Sequence, residues 1–158
     1  MASEEESKRD KLIYDVVVSR YDQEWKRTND LDSKASTVTG FAGLLATLTG
    51  GVSEFFPQCT YEWLFLVPLI LFIASAIVGL SAYWISSFEA INPDAFIDRY
   101  SNRTEKEVLM AVTATTSKHT MHNYSLNQRK VIQIYGAFIL LVSAIALFFV
   151  FAVVNLLL

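Results

Sequence analysis

From Val131 to Leu158 the chain carries no charged side chain. As a helix this stretch is longer than the ~30 Å hydrocarbon core of a bilayer, so it must tilt or project its first turns into the interface. Few folds other than a membrane span accommodate such a run. Two more neutral stretches precede it. No charge falls between Lys34 and Glu54, and none between Glu62 and Glu89. Within the second, Trp63–Trp84 is bracketed by Tyr61 and Trp63 at one end and by Tyr83 and Trp84 at the other. Amphipathic rings settle at the headgroup level. A helix between those brackets rises about 32 Å, close to the bilayer core. Hydrophobic residues make up 53% of the 158 residues and charged ones 18%. The mean hydropathy of +0.34 is too apolar for a soluble domain of this size. The predicted class is an all-α membrane protein forming a single membrane domain over 1–158. It has three transmembrane helices, at 35–52, 63–85 and 131–157, and long cytoplasmic helical extensions of the first and third spans.

The first span separates into two stripes at helical spacing. Val38, Phe41, Leu45, Leu48 and Val52 form an apolar one. Ser36, Gly40, Gly43, Thr47 and Gly50 form a small, weakly polar one. Small residues let helix backbones approach, and dispersion then holds helices that lipid alone does not drive together. The expectation is that the small stripe packs against the chain's own other helices. Its alternatives are contact with a symmetry mate or exposure to water along a pore.

Residues 7–34 read as a cytoplasmic helix continuous with the first span. Ile13, Val17, Tyr21, Trp25 and Thr28 recur every three or four residues, and no Pro or Gly interrupts 2–39. Oppositely charged residues four apart, such as Arg20 and Glu24 or Asp30 and Lys34, reinforce it. Pro57 breaks the turn at 52–62, and Pro68 sits in the first turns of the second span, where a missing hydrogen bond is tolerated. The 86–130 segment is a second cytoplasmic helical region. Asn92-Pro93 starts a short helix ending near Tyr100, and Thr104 with Glu107 forms a capping box for a longer one. Its expected inward positions are Val108, Val112, Thr116, His119 and Leu126, facing Ile13, Val17 and Trp25. Asp32 and Lys34 on one helix, and Arg129 and Lys130 on the other, mark where the helices meet the membrane.

All 13 Lys and Arg residues lie before the first span or between the second and third. The 52–62 loop has none. By the positive-inside rule the N-terminus and 86–130 are cytoplasmic and the C-terminus is outside, which suits an inner (plasma) membrane. The polar, acidic start MASEEESKRDK lacks the pattern of a secretory signal, so the first span is expected to be retained. The sequons at Asn102 and Asn123 then fall on the wrong side for glycosylation and are chance matches.

No Ser–His–Asp arrangement, Gly-rich phosphate loop or paired intramembrane carboxylate is present, so neither an enzyme nor a cofactor is expected. No basic tract points to nucleic acid. His119 and His122 lie three apart on one helical face, but two nitrogens make a weak metal site. Cys59 is the only cysteine and closes no internal disulfide. No charge lies within a span, so the usual marks of an ion-coupled transporter are missing.

Asp32-Ser33-Lys34-Ala35, followed by Gly40-Phe41-Ala42-Gly43, resembles the start of the first span in small prokaryotic membrane proteins of the SLATT and Pycsar transmembrane-effector type. The Asn92-Pro93 turn and the Asn127–Lys130 approach to the last span are similar in style, so the likeness covers most of the chain. The resemblance implies a role in antiphage defence, with the membrane disrupted after a nucleotide second messenger or a cytoplasmic partner protein signals. The chain departs from that pattern in having no room for a separate nucleotide-binding domain, so sensing falls to the cytoplasmic helices or to a partner. The expected function is a small homo-oligomeric, pore-forming or membrane-perturbing effector in the lipid bilayer. The alternative is a non-conducting scaffold or subunit that recruits a cytoplasmic partner.

Overall fold

The computed structural model describes residues 2–51, 62–85 and 103–157. Three α-helices account for nearly all of them: α1, Ala2–Gly50; α2, Leu66–Trp84; and α3, Glu105–Leu157. A 3-10 turn at Glu62–Phe65 leads into α2. No strand occurs among the described residues, so the all-α expectation holds. The Pro57 turn, Cys59 and the short helix expected after Asn92-Pro93 lie outside the described residues. Contacts divide the chain into two compact units. A polar unit comprises Met1–Asn29 and Ser87–Gln128, and an apolar unit comprises Asp30–Ser86 and Arg129–Leu158.

α1 runs without a break because nothing in it stops a helix before Gly50. The start of α3 is fixed by the expected capping box. The Thr104 N–H donates to Glu107 Oε2 (3.0 Å), and the Glu107 N–H donates to Thr104 Oγ1 (3.4 Å). Two backbone donors that the helix leaves orphaned are thereby satisfied.

In the apolar unit three helices pack with alternating spacings of three and four residues. On α2 and the turn before it, Phe65, Pro68, Phe72, Ser75, Gly79 and Ala82 are buried. On α1 the buried positions Ala35, Ala42 and Thr49 fall seven apart, with half-buried Val38 and Leu45 between them. On α3 Lys130, Ala137 and Ala144 do the same, joined by Leu141. This 3.5-residue period belongs to helices crossing at a shallow angle, knobs into holes. α2 runs antiparallel to α3. The Phe65 ring meets Phe148 edge-on at 5.5 Å, ten residues before Ser75 Oγ donates to the carbonyl of Ala137 at 2.7 Å. A Cβ on Gly79 would collide with Thr39 Oγ1, so α1 and α2 approach closely there and the Thr39 side chain would have to shift.

The interior is therefore small and partly polar, while bulky apolar side chains point outward. Ile70, Ile73, Ile77, Leu80, Ile132, Ile139 and Phe149 are all exposed. By length and composition α2 and the later part of α3 can cross a membrane, and only 28% and 17% of their apolar windows are buried within the chain. A core helix of a soluble domain would bury most of such a window. Two helices meet this standard rather than the expected three. The neutral part of α1 falls short because Gly, Ser and Thr dilute it, and its described residues end at Gly51.

Candidate functional site

The candidate positions read from the sequence are a small-residue face on α1 and polar groups at the approaches to the expected spans. Ser36, Gly40, Gly43, Thr47 and Gly50 are all exposed. A Cβ added at Gly40, Gly43 or Gly50 would meet nothing within 4 Å. The expectation that this stripe packs against the chain's own helices is thus overturned. The reason is rotational. α1 turns Ala35, Ala42, Val38 and Leu45 toward α2 and α3, and at 3.6 residues per turn the Gly stripe falls on roughly the opposite side. The apolar stripe is split by the same rotation. Val38 and Leu45 pack on the core, Phe41 and Leu48 are exposed, and Val52 lies outside the described residues. The Thr47 hydroxyl donates to the carbonyl of Gly43 (3.0 Å), which removes its bare donor from this face.

In the apolar unit Lys130 is buried and its ammonium pairs with Asp32 Oδ1 at 2.6 Å. Lys34 and Arg129 are exposed. Lys130 was expected to anchor the helix at the surface beside Arg129. It turns inward because it occupies the same seven-residue series as Ala137 and Ala144.

In the polar unit a second polar layer joins α1 to α3. Asn127, buried, donates from Nδ2 to Glu24 Oε2 (2.9 Å). The Thr28 hydroxyl lies 3.0 Å from Asn127 Oδ1 and 2.9 Å from the Glu24 carbonyl, two acceptors that share its single hydrogen. Arg27 reaches Glu24 at 3.6 Å and lies over the Tyr124 ring, 5.5 Å from its centre. Thr116 and Asn123 are buried farther along the same series.

The apolar seam expected here is corrected in part. Val17, Val112 and His119 are half-buried, whereas Ile13 and Trp25 are largely exposed. Ile13 and Val17 do line a shallow cleft with Leu109, Met110 and Thr113. The seam follows Tyr14, Val17, Tyr21, Glu24 and Thr28, one position away from Ile13 and Trp25, and it carries polar residues that a search for apolar faces passes over. The signal that finds them is the seven-residue recurrence itself: Thr28 with Ala35 and Ala42, and Asn123 with Lys130 and Ala137.

His119 is half-buried and His122 exposed, and no group of three potential metal ligands comes together among the described residues. Polar groups at seam positions fix the register and direction of a helix pair at some expense in stability. Comparison of the chain with family models, curated proteins and solved structures gives no match.

Proposed function

We propose that this chain is an integral membrane protein crossing the bilayer three times, with its N-terminus and residues 86–130 on the cytoplasmic side of the inner membrane. Copies assemble through the Gly40–Gly43–Thr47 face of α1 into a pore-forming or membrane-perturbing effector, switched through its cytoplasmic helices. The observation that carries the reading is the inverted apolar unit. Many of its bulky apolar side chains point outward, its interior is partly polar, and one further helix face is narrow enough for backbones to meet. Lipid satisfies the first feature and a second copy the last. The lengths of α2 and α3 support the membrane, and the resemblance of Asp32–Gly43 to phage-defence effectors supports the effector role.

Ion flux from liposomes reconstituted with the purified protein tests the reading. A conducting assembly releases trapped ions, and Gly43→Leu, which holds the copies apart, abolishes the release. Liposomes that stay sealed at every protein density contradict an effector and favour the non-conducting scaffold.

A further inference from the structure

Beside the packed core of the apolar unit, α1 and α3 leave an open groove of about 440 Å³. Its rim is polar: Ser33, Lys34 and Thr37 on α1 and Tyr135 on α3. Its apolar lining is half-buried Val38 and Ile134 and exposed Phe138, at the start of the charge-free stretch on each helix. Lys34 is the only charged residue lining it, is exposed, and makes no ion pair among the described residues. Thr37 Oγ1 donates to the Ser33 carbonyl (2.8 Å), so the rim's remaining donors are the Lys34 ammonium and the Ser33 and Tyr135 hydroxyls.

We propose that this groove holds an anionic glycerophospholipid, with its phosphate on Lys34 and the rim hydroxyls and the upper part of an acyl chain on Val38, Ile134 and Phe138. The inference rests on the membrane reading above. An unopposed ammonium at the mouth selects negative charge, and the three apolar side chains beneath it have no use for a small hydrated anion. On α1 Lys34 precedes Val38 and on α3 Tyr135 precedes Phe138, the order in which a lipid presents headgroup and chain to a protein crossing the interface.

The test uses the full chain in mild detergent, mixed with phosphatidylglycerol and phosphatidylcholine in equal amounts, with retained lipid read by native mass spectrometry. Phosphatidylglycerol is expected to be retained in preference. Lys34→Gln should lower its retention about fivefold and leave phosphatidylcholine unchanged. Lys118→Gln, exposed and in the polar unit, should leave the preference intact. Equal retention of the two lipids overturns the proposal, and so does a Lys118→Gln loss as large as that of Lys34→Gln. Displacement of phosphatidylglycerol by millimolar inorganic phosphate overturns it in favour of a free-anion site. Carbonate extraction of native membranes separates this failure from failure of the underlying reading. Protein that stays with the membrane but shows no lipid preference sinks the groove alone, while protein released to the supernatant sinks both.

Discussion

The Lys130 side chain is only 2% exposed, whereas that of Asp32, its partner at 2.6 Å, is 26% exposed. The two are therefore not equivalent. Asp32→Ala leaves an ammonium buried without its counter-charge, and breaking a buried pair in this way costs about 3 kcal/mol. Lys130→Met leaves a carboxylate that reaches water and puts an apolar chain of similar length in an apolar site, so its cost is smaller. The double variant should recover much of the Asp32→Ala loss. Thermal unfolding in detergent checks the order, and equal losses for the two single variants would show that the pair is not buried as described. Glu107 offers a pH-dependent counterpart in water. The backbone N–H of Thr104, then its hydroxyl, and to a lesser degree the Arg103 charge, hold its carboxyl below the usual range. Because the folded value lies below the unfolded one, the cap's contribution is complete above the ordinary carboxylate range and is lost as pH falls through the folded value. Carbon-detected NMR titration of Glu107 should show the depressed value in the native chain and a rise toward the usual range in Thr104→Ala. An unmoved titration would remove the Thr104 hydroxyl as a cause and leave its backbone N–H.

Gly79 lies where α2 presses on α1, and Gly40 lies on the open face of the same α1. A methyl group at Gly79 must displace Thr39 Oγ1, an overpacking that costs about 1–3 kcal/mol. At Gly40 it meets nothing within 4 Å and relieves the entropic disadvantage of glycine in a helix, worth roughly 0.5–1 kcal/mol. Gly79→Ala should therefore lower the melting temperature and Gly40→Ala should not, and the reverse order would refute the assigned rotation of α1. That rotation is also where sequence reading reached its limit. The helices themselves were legible, because neutral runs, Thr104 with Glu107 and the scarcity of Pro and Gly act locally. Which face of α1 turns inward was not legible, because both faces carry small residues at seam-like spacing: Ala35 and Ala42 on one, Gly40 and Gly43 on the other. The choice between them depends on what α2 and α3 offer, namely Phe72 and Leu141, which pack with Ala42. Polar seam residues such as Asn127 and Lys130 were hidden for a related reason. Their burial is made tolerable by partners about a hundred residues away, at Glu24 and Asp32.

For the molecule as a whole, the proposed orientation rests on where the positive charges lie. A cysteine placed at the exposed Ser117, in a Cys59→Ser background, should resist membrane-impermeant thiol reagents on intact cells, while native Cys59, assigned by charge to the opposite loop, should react. Labelling at Ser117 alone would reverse the proposed topology. Assembly is the more central matter, because every functional reading of the open α1 face requires a second copy to meet it. Light scattering of the purified chain in mild detergent, corrected for bound detergent, measures this most directly. The account predicts a particle of several 17.8 kDa chains for the native protein and its breakdown to single chains in Gly43→Leu, where the bulk of leucine holds the backbones apart. A native particle of one chain, or an assembly that Gly43→Leu leaves intact, would contradict it.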